Sequence, residues 1–182
     1  MLNLYGIGFF LMASFVMLYN YIGFKLLAPP YSLSTTIVGW IFIVYLVGTV
    51  SSTWFGNLAN QYGRQKVLLA GTALMFIGAL ITLNGSLALK IIGITIFTFG
   101  FFGAHSIASG WVSHRAKHDK AQAASLYLFF YYFGSSIGGT AGGYFWSNFG
   151  WGGVIGLISF FLLIAFVLIK LLGLRNKESL MS

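Results

Sequence analysis

Long runs without a charged side chain alternate along this chain with short charged breaks. The charge-free intervals are 1–24, 26–63, 67–89, 91–114 and 121–169. A helix needs roughly 20 apolar residues to cross a hydrocarbon core of about 30 Å. The intervals 1–24, 67–89 and 91–114 each hold one crossing. The interval 26–63 opens with the helix-breaking pair Pro29-Pro30 and then holds one more. The interval 121–169 is long enough for two, with a polar turn at Ser147, Asn148 and Gly150 between them. The pattern predicts an all-α polytopic membrane protein. Its six spans fall at 4–27, 36–57, 66–84, 89–112, 121–146 and 152–173 within a domain 1–174, and residues 175–182 form a cytoplasmic tail. Strands of a membrane barrel would alternate polar and apolar residues, and these runs do not.

Composition narrows the class. Hydrophobic residues make up 58% of the 182 positions and charged ones 7%, against about 25% charged in a soluble domain. Too little polar surface remains to clothe a water-soluble globule. No Cys is present, so a disulfide scaffold is excluded. The net charge of +8 comes from basic residues scattered between apolar runs. They form no stripe for nucleic acid. The first apolar run lacks a basic leader and passes straight into further spans, so it is expected to be a span and not a cleaved signal.

Lys and Arg in short loops set orientation. Arg64, Lys66, Arg115, Lys117, Lys120, Lys170, Arg175 and Lys177 fall on one side, and Lys25 and Lys90 on the other. Both termini are therefore expected in the cytoplasm. Trp40, Trp111, Trp146 and Trp151 lie near predicted span ends, where aromatic rings favour the headgroup zone. Trp54 fits that belt less clearly.

Polar groups inside a bilayer are costly and often functional. No Asp or Glu falls within a predicted span; Asp119 is in a loop, where it could cap the fifth span, and Glu178 is in the tail. This chain supplies no intramembrane carboxylate for proton coupling. His105 is the one ionisable group deep in a span, with Ser109 on the same face one turn on. It is a candidate cavity donor or proton relay, or a neutral histidine bonded between helices. Asn20 is a candidate for substrate contact or for helix–helix bonding. Tyr127 and Tyr131, one turn apart and flanked by Tyr132, line either a cavity or a packing seam. His114 and His118 sit in the basic loop and are expected to be solvated. Lys25 is expected to snorkel to the headgroups.

The fifth span carries Gly134, Gly138, Gly139, Gly142 and Gly143, spaced as small-xxx-small pairs that let helix backbones approach closely. They serve either static packing inside the unit or a rocking surface against a second unit. The second reading is favoured mostly on a family resemblance carried by the loop after the second span. Around the second loop, Gly56 is expected to allow close packing, and Gly63 to take the positive φ of a tight reversal.

The run Gly56-Asn57-Leu58-Ala59-Asn60-Gln61-Tyr62-Gly63-Arg64-Gln65-Lys66 resembles the signature loop of the major facilitator superfamily between its second and third helices. Gly56, Leu58, Ala59, Gly63, Arg64 and Lys66 match. Asn60 departs, since the family usually has Asp there, and the amide would weaken the charge-assisted lock that the carboxylate gives. Phe101 to Ser106, Ser125 to Leu128, Tyr131-Tyr132 and Gly134 to Ser136 are similar to the C-terminal half of the YnfM-type bacterial inner-membrane transporters, which are grouped with sugar and drug efflux proteins.

The resemblance implies half of a twelve-helix fold, built of two inverted three-helix repeats. Spans one and four would line a central cavity, two and five would face the other half, and three and six would face lipid. The apolar stretch from Val154 to Phe166 suits lipid contact. The implied function is efflux of a small molecule by a proton- or ion-coupled antiporter with rocker-switch access. The partners would be the lipid bilayer, a small-molecule substrate, and an N-terminal six-helix half or a second copy. No cofactor or metal is expected. Two further possibilities are a split or truncated fragment inactive alone, and a homodimer.

An intramembrane serine protease is disfavoured, because Ser109 and His105 share one helix and the sixth span has no His. No His-Glu-x-x-His pair offers a zinc site, and no Asn-Pro pair suggests a water channel.

Overall fold

The computed structural model describes residues 1–116 and 118–181, with residues 175–181 described by backbone alone. Lys117, Arg175 and Lys177, counted above among the cytoplasmic charges, therefore fall outside the described side chains. The described chain is helical. Helix α1 is Leu2–Leu27. The second span is built of α2 (Thr35–Trp40), a tight 3-10 stretch Ile41–Tyr45, and α3 (Leu46–Tyr62). Then follow α4 (Arg64–Ile81), α5 (Leu87–Arg115) and α6 (Lys120–Met181).

Five helical stretches are long and apolar enough to cross a membrane. The last of them is interrupted at Gly150, where φ is +60° and ψ is −152°. That region is open in practice only to glycine. Neighbours on α1 show that the chain reverses there. Gly134, Gly138 and Gly142 lie against Phe9, Ala13 and Met17 in turn, so the stretch before Gly150 runs parallel to α1. After it, Phe161 meets Phe10 and Leu168 meets Gly6, so the chain runs back. There are thus six crossings. The structure confines the predicted fifth-to-sixth turn to Gly150, since Ser147 and Asn148 are helical. It also carries helix to Met181, through the segment expected as a tail.

Other span ends differ from expectation by a few residues. The second span extends to Tyr62 and the third starts at Arg64, with only Gly63 between them at φ +88°. One glycine suffices for this reversal because it reaches a backbone region closed to side chains. The α2 start is capped by Ser34, whose hydroxyl accepts from the Ile37 N–H at 3.3 Å.

The pairings obey one rule. Spans one and five run parallel, as do four and two, where Ser51 donates to the Phe99 carbonyl and Phe55 one turn on covers Gly103. Spans three and four run antiparallel, with Gly71 on Gly100 and Gly78 on Gly93. So do spans six and one. Spans three and six touch at both ends, through Gln65 Nε2 to the Ile169 carbonyl at 3.1 Å and Trp151 Nε1 to the Thr82 carbonyl at 3.1 Å. Exchanging spans one with four, two with five and three with six maps this contact set onto itself. Two three-span repeats of opposite sense produce that symmetry.

The core lies where α1 crosses α5. Phe15 stacks on Phe101 with ring centroids 3.9 Å apart, and the Tyr19 hydroxyl bonds Thr98 at 2.7 Å. The outward faces of spans three and six are apolar, with Ile77, Leu80, Phe160, Leu163 and Val167 exposed.

Candidate functional site

One turn beyond Phe101, toward the signature-loop end, the fourth and fifth spans meet at an aromatic cluster. His105 Nδ1 lies 3.0 Å from the Tyr127 hydroxyl. Its ring is parallel to Phe101 and sits 4.6 Å from the Tyr131 ring. Tyr127 is buried at 1% exposure and lies over Gly8, so the cluster ties spans one, four and five. A side chain at Gly8 would collide with the Tyr127 ring. Through Nδ1, His105 links the fourth span to the fifth. Ser109, one turn on, is half-buried and does not join this cluster.

Asn20 is exposed and sits beside Gly139 of the fifth span, whose carbonyl takes a hydrogen bond from the Tyr21 hydroxyl at 2.6 Å. The second span carries Thr49, Thr53 and Asn57 at four-residue steps along an exposed face, and the fifth carries Tyr132, Ser136 and Thr140 likewise. The threonine and serine hydroxyls turn back to carbonyls of their own helices. The Asn20 and Asn57 amides do not.

The glycines of the fifth span need a correction. Gly134 meets the Phe9 carbonyl, Gly138 the Ala13 carbonyl, and Gly142 the Met17 and Tyr21 side chains. They pack the fifth span on the first inside this unit and are not a surface offered to another. The physical reason is reach: these backbones approach too closely for any Cβ. Gly139 and Gly143 lie at the edge of the seam, against Asn20 and Tyr21. Gly56, expected to allow close packing, has open space around it.

The signature loop lines a cleft of about 490 Å³ at the end of the bundle. Arg64 and Lys66 share it with Trp111, His114 and Arg115 from the end of the fourth span. Asn60 is exposed nearby in sequence, and Leu58 is half-buried. Arg115 Nη1 is buried without a hydrogen-bond partner.

At the opposite end, sequence reasoning missed a cluster. Lys90, read as a loop charge, is buried at 1% exposure and donates to the Thr82 carbonyl, which also accepts from Trp151. The Tyr31 ring lies 5.5 Å from the Lys90 ammonium and 6.0 Å from that of Lys25, and its hydroxyl donates to the Gly85 carbonyl. Trp111 and Trp151 are buried at 7% and 6%, so they are not headgroup-belt residues. Lys90 opens its helix, as Trp151 opens the last span. Nothing in one-dimensional spacing marks such residues as the bonds for a neighbouring helix end.

These observations define a polytopic helical membrane protein of two inverted three-span repeats. A profile described as Major Facilitator Superfamily matches residues 4–180, and the chain belongs to that family. It is 52% identical over 185 aligned positions to the uncharacterized MFS-type transporter YybF of Bacillus subtilis (strain 168), covering 98% of this chain and 46% of the relative. It is 50% identical over 162 positions to the inner membrane transport protein YnfM of Escherichia coli (strain K12), covering 89% of this chain and 39% of that one. An uncharacterized transporter of Buchnera aphidicola subsp. Schizaphis graminum (strain Sg) is 46% identical, with 98% and 42% covered. The chain spans less than half the length of these relatives.

Proposed function

We propose that this chain is the C-terminal half of a secondary transporter of the efflux type, moving a small molecule by rocker-switch rotation against a second six-helix unit. The observation that carries the reading is the distribution of exposed polar groups. Asn20, Thr53, Asn57, Ser136 and Thr140 are on spans one, two and five, while the exposed faces of three and six are apolar. An amide facing hydrocarbon is costly, and a cavity or a partner face relieves it. Alternating access between two units about a midplane site follows for this architecture. No carboxylate lies within the spans of this chain, so a proton-coupling acid would come from the other unit. Both termini are assigned to the cytoplasm of the inner membrane on the bias of Lys and Arg.

The test uses the absence of native Cys. Thr53→Cys is oxidised in membranes with and without a co-expressed N-terminal six-helix unit that carries cysteines on its facing spans. A crosslink that requires the second unit supports the half-transporter. A crosslink between two copies of this chain supports the homodimer instead, and none in either case rejects a facing unit at span two. Cells holding both units should then accumulate less of at least one dye in a panel than cells holding either alone.

A further inference from the structure

The cationic cleft at the signature loop does not stand alone. It shares Tyr62 and Lys66 with a second concavity of about 550 Å³ on the outer face of the bundle, between spans two and three. That groove is walled by Trp54, Leu58, Ala70, Ala73 and Leu74. The small side chains of Ala70 and Ala73 hollow the third span where Trp54 and Leu58 stand proud of the second. One concavity is basic and the other apolar, and they join at Lys66. We propose that together they bind one anionic phospholipid, with its phosphate on Arg64, Lys66 and Arg115 and an acyl chain along the groove.

Three features favour this occupant. No Asp or Glu lines the cleft among the described residues, so its cations have no counter-charge among them. Arg115 Nη1 is buried without a partner, and a buried guanidinium N–H left unbonded is costly. A phosphate oxygen satisfies it with a charge-assisted bond. The groove, in turn, opens beside membrane-spanning faces, where an acyl chain is the available apolar ligand. A free phosphate would use the cleft and leave the groove unexplained. An acidic loop from another protein unit would do the same. Basic pockets between transmembrane helices at the cytoplasmic surface are suited to acidic headgroups. The inference depends on the proposed orientation only for the leaflet that supplies the lipid, not for binding.

The experiment places the full chain in nanodiscs of phosphatidylcholine containing a small fraction of acyl-brominated lipid. Bromine quenches indole fluorescence at short range, and Trp54 is in the groove wall. Brominated phosphatidylglycerol should quench more than brominated phosphatidylcholine at equal fraction, and Trp54→Phe should remove the excess. Arg64→Gln and Arg115→Gln should each weaken the preference about fivefold, from about 1 kcal/mol per basic side chain at a charged headgroup. Lys170→Gln, on the exposed surface of the sixth span, should leave it unchanged. If Arg115→Gln loses its helical circular dichroism, Arg64→Gln alone decides. Equal quenching by the two lipids overturns the proposal, as does an excess that survives Trp54→Phe or Arg64→Gln. Relief of the quenching by millimolar inorganic phosphate overturns it in favour of a free phosphate site. Because nanodiscs have no inside, a failure here does not touch the orientation or the transport reading.

Discussion

His105 Nδ1 and the Tyr127 hydroxyl, 22 residues apart in sequence, are 3.0 Å apart and join the fourth span to the fifth. Tyr127 fills the space over Gly8, so one ring also reaches the first span. Interhelical hydrogen bonds in membranes contribute about 0.6 kcal/mol on average and up to about 2 kcal/mol. Tyr127→Phe keeps the ring and removes the bond. It should lower unfolding stability by that amount, measured by steric trapping or thermal unfolding in bicelles. A loss above about 3 kcal/mol would show that the bond holds more than this pair.

The same pair bears on transport. If His105 only bridges helices, His105→Gln should keep the pH dependence of transport in the assembled protein while lowering stability. A shifted pH profile in a well-folded His105→Gln protein would instead make this ring a proton carrier.

The glycine seam predicts a contrast among three identical changes. Gly138→Ala drives a methyl onto the Ala13 carbonyl, so the spans must separate; overpacking of this kind costs about 1–3 kcal/mol or more. Gly139→Ala meets Asn20 at an ordinary 3.4 Å and should change little. Gly56→Ala has open space and should gain up to about 1 kcal/mol from helix propensity. Thermal unfolding of the three variants gives the order directly. An equal effect at 138 and 56 would mean the seam is looser than described.

At the far end, Trp151→Phe deletes one of two donors to the Thr82 carbonyl. The end of the third span should open more readily, seen as faster amide exchange near Ala79 to Leu83 with little change near Leu68. Uniform acceleration along α4 would refute a local clamp.

Orientation is checked by single cysteines. Asn60→Cys in the signature loop should react with a membrane-impermeant maleimide only after the inner face is opened. Asn84→Cys, between spans three and four, should react in intact cells. The reverse pattern would invert the topology drawn from Lys and Arg.

The spans themselves were legible because a bilayer imposes length and apolarity on each crossing, and these are local properties of sequence. Gly63 was legible for a related reason: a tight reversal needs a positive φ, and the chain offers glycine there. The second-span entry was read less well, since a helix, a 3-10 stretch and a helix differ by fractions of a turn that hydropathy does not register. The fifth-span glycines announced close packing but not the partner. Any of several helices could have met them, and only the parallel docking on α1 made Phe9 and Ala13 the neighbours.

The sequence by itself determined a six-crossing helical membrane protein and the family to which it belongs, because apolar length, charge breaks and the loop motif are contiguous along the chain. The tertiary structure decided which side of each helix is buried. It turned Lys90 and Trp151 inward onto Thr82, set His105 against Tyr127, and joined a basic cleft to an apolar groove at Lys66. Those relations depend on the rotation of each helix about its own axis. In a uniformly apolar span, the polar pattern that would fix that rotation is nearly absent, and close packing between helices fixes it instead.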